Sequence, residues 1–161
     1  MKVILKKILS AKTIVLSGHV NPDGDCIGSL LALGLGLKSI GKRVYLLRQD
    51  GIPEKYKCLP GSDKINKENM GKVFDMAITL DCNCAEMLGS AFETIKRSKD
   101  ILEIDHHAYR KPFGDFSIID TKAASVGEMV YGLLNELKIT ITKEIAQNIL
   151  TSIIVETNSF R

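Results

Sequence analysis

TIVLSGH (residues 13–19), running directly into VNPDGDCIGS (residues 20–29), is the passage on which the fold turns. The first seven residues are a short, β-branched and apolar run that reads as a buried strand. A turn follows, and a helix is expected over residues 27–40. The same alternation continues outward. KRVYLLR (42–48), VFDMAITLD (73–81), ILEIDHH (101–107) and FSIID (116–120) read as further strands. Helical patterns lie near residues 85–96, 126–137 and 143–155, and an amphipathic helix opens the chain. The polar stretch holding Pro53, Pro60 and Gly61 predicts a short helix and turns. Strands alternating with helices predict an α/β domain: a doubly wound, mainly parallel sheet with helices on both faces. With 161 residues, the chain is expected to form one such domain over residues 1–161.

Ligands of open parallel sheets bind beyond the carboxyl ends of the strands. The sequence has three histidines, His19, His106 and His107, and each stands at or just past such an end. Asp23 and Asp25 lie in the loop after the first strand, Asp81 ends the strand at 73–81, and Asp105 ends the strand at 101–107. The sheet would therefore gather these groups along one edge.

A lone Asp in such a loop ordinarily caps a helix or shapes a turn. Several carboxylates and imidazoles crowded together would instead repel and desolvate one another without a counter-charge. Divalent metal ions supply it. Mixed Asp and His donors suit Mn²⁺ or a similar ion, whereas a tetrahedral thiolate set would suit zinc. Cys82 and Cys84 have no second pair to complete a zinc motif, and read as buried, reduced thiols.

SGHVNPDGDCIGS, LDC, IDHH and IIVETNSFR together resemble the four ordered motifs of the DHH phosphoesterase superfamily, which includes RecJ exonuclease. HVNPDGDCIGS is most similar to the NrnA-like branch of nanoRNases and pAp phosphatases. The motifs run from His19 to Arg161, almost the whole chain, and the combination of the first with Asp105-His106-His107 is highly specific.

The resemblance implies two divalent metal ions, Mn²⁺ with Mg²⁺ as the alternative. His19 and Asp23 would hold one, Asp25 and His106 the other, and Asp81 would bridge them. The family's last ligand is usually Asp, at the position occupied here by Glu156. Water deprotonated between the two cations would be the nucleophile. His107 would contact the scissile phosphate or protonate the leaving oxygen, Asp105 would orient the histidine pair, and Arg161, after the last motif, would meet substrate phosphate. The implied substrates are short single-stranded RNA or a small nucleotide such as pAp. Relatives continue into a C-terminal substrate-binding domain of DHHA1 type. Its absence here leaves a half-enzyme needing a separate second domain or a homodimer, or a non-catalytic metal- or nucleotide-binding subunit, as rivals to an autonomous enzyme. Among enzymes, a cyclic-dinucleotide phosphodiesterase is a further alternative. So is a family II inorganic pyrophosphatase, which reads Asp-Thr-Asp where Asp23-Gly24-Asp25 stands.

The remaining features set bounds. A net charge of +3 permits an anionic substrate without arguing for an extended nucleic-acid surface. Four cysteines lacking disulfide spacing fit the reduced cytoplasm. No segment reads as a signal peptide or membrane span. Ser125 and Glu128 form a capping box. Gly28, Gly34 and Gly36 are expected to mark close packing on the sheet. Arg110 and Lys111 are expected on the solvated surface, where they could also meet substrate phosphates.

Overall fold

Ile14 and Leu16 face one side of the sheet and Val15 the other, and each side buries them in its own apolar cluster. That alternation is what a strand covered on both faces requires. The computed structural model describes residues 1–66 and 71–161. Its strands are β1 (Thr13–Gly18), β2 (Arg43–Leu47), β3 (Ile65–Asn66), β4 (Met76–Leu80), β5 (Ile101–Asp105) and β6 (Phe116–Ile119). They form one sheet in the order β3-β2-β1-β4-β5-β6, with every neighbouring pair parallel. The chain winds outward from β1 to β3, returns to β4 beside β1, and winds outward again. The crevice between the carboxyl ends of β1 and β4 is therefore the topological switch point.

The two faces are covered unequally. Helices α1 (Lys2–Ser10), α2 (Gly24–Ser39), α4 (Val126–Glu136) and α5 (Lys143–Glu156) bury the larger cluster against Ile14, Leu16, Met76, Ile78, Leu102 and Ile104. The opposite face, carrying Val15, Leu47 and Ala77, is closed by a 3₁₀ segment (Ala85–Ala91) and the one-turn helix α3 (Phe92–Ile95). Among the described residues no helix is long and apolar enough to cross a membrane.

Four local expectations need correction. Helix α2 starts at Gly24 rather than residue 27, because the Asp23 carboxylate accepts the Cys26 N–H at 3.0 Å and caps the helix early. The helix expected over 85–96 breaks at Gly89, whose φ of 54° leaves a 3₁₀ segment and a single α-turn. Strand β3 was not anticipated; two residues carry no period. Of the three helix glycines, only Gly34 meets the sheet, at Leu46 on β2, while Gly28 and Gly36 are where α2 touches α5 and α4.

Candidate metal centre and active site

His19 is the first residue past β1, and Asp81 the first past β4. His19 Nδ1 lies 2.8 Å from the Val20 carbonyl, which sets the ring so that Nε2 faces Asp81 Oδ2 at 3.4 Å and Asp23 Oδ1 at 3.8 Å. Beneath this loop lies Arg48, only 1% exposed. Its guanidinium donates to the carbonyls of His19 (2.7 Å) and Gly51 (2.9 Å) and to Cys26 Sγ (3.3 Å). A buried cation thus holds the backbone of the first histidine in place.

Asp81 adopts φ 60°, a left-handed conformation uncommon outside glycine, and its N–H donates to the Ile104 carbonyl at 3.0 Å. The turn aims its two carboxylate oxygens in different directions. Oδ2 meets His19, while Oδ1 lies 3.9 Å from His106 Nε2 and 3.6 Å from His107 Nδ1. His106 Nε2 also lies 3.7 Å from Asp25 Oδ2 and 3.7 Å from Glu156 Oε1. Glu156, the last residue of α5, therefore reaches the cluster despite its extra methylene.

Asp25 is fully buried, and much of what holds it comes from the end of the chain. Its carboxylate accepts the N–H groups of Val126 (2.9 Å) and Gly127 (3.2 Å) at the start of α4, and the Ser152 hydroxyl from α5. A helix N-terminus favours an anion through its free N–H groups and its dipole. Ser125 caps the same helix by accepting the Glu128 N–H at 3.1 Å, as the capping box predicts; the Glu128 carboxylate returns to the N–H of Ala124.

Asp105 does not enter the cluster directly. It accepts the His106 N–H (2.9 Å), the His107 N–H (3.3 Å) and His107 Nδ1 (2.7 Å), while Arg110 Nε donates to its other oxygen at 2.9 Å. Arg110 Nη2 also pairs with the buried Glu103 at 3.2 Å. Arg110 is thus a buried strut rather than the surface cation expected, because two acids on one face of β5 need it.

Charge explains the arrangement. Burial opposes a proton on His19, yet Asp23, Asp81 and Cys26 outweigh it and drive its pKa far above the ordinary imidazole value. His19 in turn holds Asp23 down to about 2. Burial, then the nearby Asp81 charge, pushes Asp25 up to about 6 against its hydrogen bonds. For His107, burial again opposes the proton, while Asp105, Asp81 and Glu156 raise its pKa. The cluster is short of positive charge.

Its distances suit metal ions as well. The N···O separations from His19 and His106 run from 3.4 to 3.9 Å, longer than ordinary hydrogen bonds. Two donors each ~2.1 Å from a shared ion stand ~3 to ~4 Å apart, depending on the angle between them. Donor atoms of His19, Cys26 and Asp81 fall into one compact group, and those of Asp81, His106 and His107 into another. Asp81 belongs to both. The residues therefore fit a divalent metal centre.

Arg161 is exposed and takes no part in these contacts; its N–H donates to the Thr157 carbonyl. Cys82 is buried and Cys84 half-buried, both free thiols. Sequence reasoning missed Arg48 and Cys26. The available signal was a charged residue closing an otherwise apolar strand at the edge where the histidines gather.

Sheet order and donor cluster define an α/β domain with a carboxylate–imidazole pocket at its switch point. The chain belongs to the DHH family: the model of the family's N-terminal domain matches residues 13–153. The bifunctional oligoribonuclease and PAP phosphatase NrnA of Thermus thermophilus is 33% identical over 153 residues, covering 92% of this chain and 44% of the relative. Its Bacillus subtilis counterpart is 30% identical over 138 residues, covering 84% and 42%. An exopolyphosphatase-related protein from Bacteroides fragilis superposes with a TM-score of 0.90 at 29% identity, over 99% of this chain and 50% of that one. Exonuclease RecJ bound to manganese shares the fold at a TM-score of 0.50 and 14% identity. The chain spans less than half the length of the two curated relatives described.

Proposed function

We propose that this domain hydrolyses phosphoester bonds in short oligoribonucleotides or in small nucleotides such as pAp, with two divalent metal ions, preferably Mn²⁺. The observation that carries the reading is Asp81, whose two oxygens face His19 on one side and His106 and His107 on the other. A carboxylate so shared is what two adjacent cations require. The names of the relatives, an oligoribonuclease and PAP phosphatase, supply the substrate class.

His19 and Asp23 would hold one ion, and Asp25, His106 and Glu156 the other, with Asp81 between them. When bound, the ions supply charge neutralisation at the phosphate and acidify water. His107 lies at the mouth, its side chain 44% exposed, with Nδ1 committed to Asp105. Its remaining nitrogen is available to a phosphate oxygen or to the leaving oxygen. Asp105 and Arg110 hold that ring; they do not meet substrate. Because the relatives are about twice as long, we assign to this domain the metal centre and the chemistry. Tight substrate binding belongs to a cleft completed by a second domain or a second copy.

Hydrolysis of a panel containing pAp, a dinucleotide, a cyclic dinucleotide and pyrophosphate, with Mn²⁺ and with EDTA, tests the reading. Metal-dependent turnover of pAp or the dinucleotide is expected, saturating only at high substrate concentration. Pyrophosphate as the preferred substrate would move the domain to the pyrophosphatases, and metal binding without any turnover would make it a binding subunit. Asp81→Ala should abolish turnover more completely than His107→Ala, for which a loss of about 10²–10⁴-fold is expected.

A further inference from the structure

Two loops leave the metal cluster, one after Asp81 and one after His107. They enclose an open groove of about 550 Å³, lined by Asn83, Cys84, Ala108, Tyr109, Arg110 and Lys111. The Lys111 N–H donates to the Asn83 carbonyl at 2.8 Å and ties the rims together. The groove begins two residues from Asp81 and one from His107.

Its two outward side chains are unequal in kind. Tyr109 is 91% exposed, the most exposed of the large apolar and aromatic side chains on the described surface. Lys111 makes no ion pair among the described residues, although Glu86 feels its charge. Arg110 is turned beneath the groove and spent on Asp105 and Glu103. An aromatic face and a free cation, set side by side next to a phosphoester-cleaving centre, match a nucleoside carrying a further phosphate. Bases stack on aromatic side chains with little sequence preference, and a lysine serves the adjoining phosphate as a point charge.

We infer that this groove is the nucleotide subsite next to the scissile phosphate, with Tyr109 stacking the base and Lys111 meeting the next phosphate. The inference rests on the phosphoesterase reading above and adds to it the residues that distinguish a nucleotide from a bare phosphate ester. A purely inorganic substrate would use Lys111 and leave Tyr109 idle.

The chain contains no tryptophan, so Tyr109→Trp introduces a single indole whose emission reports only on this groove. Titration of this variant with AMP in Mn²⁺ is expected to quench the emission saturably, while ribose 5-phosphate leaves it unchanged. In parallel, Tyr109→Ala should raise KM for a dinucleotide by roughly 5- to 100-fold with a smaller change in kcat, and Tyr109→Phe should restore it. Lys111→Ala should raise KM for the dinucleotide as well. Equal quenching by AMP and ribose 5-phosphate would overturn base stacking. Normal dinucleotide KM in Tyr109→Ala would overturn the subsite while leaving the phosphoesterase reading intact. Quenching by AMP in a protein that hydrolyses no phosphoester would leave the subsite standing and remove the catalytic reading. Neither quenching nor turnover would remove both.

Discussion

His107 Nδ1 sits 2.7 Å from Asp105 Oδ1, and Arg110 grips the other oxygen of that carboxylate at 2.9 Å. The pair fixes both the orientation and the proton of the exposed histidine. Asp105→Asn keeps the shape and removes the charge. His107 then loses the nearest of the acids that raise its pKa, so it sheds its proton at lower pH. With a protonated His107 as donor, the alkaline limb of the pH–rate profile should move to lower pH. Activity should fall about 10–100-fold, as for other residues that orient a working histidine. An alkaline limb that stays in place would assign the proton donor elsewhere.

In the proposed centre, Asp25 links metal binding to pH. Its folded pKa of about 6 lies above the ordinary 3.8, so in metal-free protein its charged form costs stability. That cost is present above about pH 6 and is gone below the ordinary value. His19 acts in the same sense, since its raised pKa contributes stability that is full below the ordinary 6.5 and lost only at high pH. The chelated protein should therefore gain Tm from these groups as pH falls from 8 to 5.5. In the proposed centre metal binding requires both groups deprotonated, so the Mn²⁺-dependent gain should shrink over the same range. At neutral pH that gain should be about 2–4 kcal/mol at 100 to 1,000 times Kd. Melts with Mn²⁺ and with EDTA across pH check it; a gain independent of pH would count against these ligands.

Arg48→Met leaves the carbonyls of His19 and Gly51 and the thiol of Cys26 without their buried donor. A loss of about 2–4 kcal/mol is expected from urea denaturation in EDTA. Manganese affinity should fall too, because the His19 backbone is no longer held. Unchanged affinity would show that the loop is set by Asp23 capping alone.

Glycine positions offer a paired test of packing. A Cβ at Gly28 would stand 2.5 Å from the Asn148 carbonyl oxygen and 2.9 Å from Ser152 N, both backbone atoms of α5. Gly28→Ala should therefore cost about 1–3 kcal/mol. At Gly132, within α4, a Cβ meets nothing within 4 Å, and Gly132→Ala should stabilise by about 0.5–1 kcal/mol. Thermal melts of the two variants should move in opposite directions.

The sheet was legible because β1, β4 and β5 are apolar runs ending in polar residues with chemistry, and the end of each strand marked the edge of the site. His19, Asp23, Asp25, Asp81 and His106 meet there, and so does Glu156, for which only a motif spoke. The roles of Arg48 and Arg110 were not legible. A charged residue defaults to the surface, and only tertiary partners, the His19 carbonyl for one and Glu103 with Asp105 for the other, reveal a buried strut. Gly89 was read as part of a helix because its positive φ depends on what surrounds it, not on its neighbours in sequence. Tyr109 carries no periodic signal at all; its place beside the cluster exists only once the two loops are folded.

Asp25 takes its three hydrogen bonds from residues 126, 127 and 152, more than a hundred positions downstream. During synthesis, a nascent chain that has emerged only through β6 holds every strand, with His19 and Asp81, but neither α4 nor α5. Its second carboxylate, however, is left without a cradle until α4 and α5 leave the ribosome. The pocket can thus be finished only once α5 has emerged, and a chain truncated before α5 should be both unable to load metal tightly and prone to aggregate through the bared flank of α2.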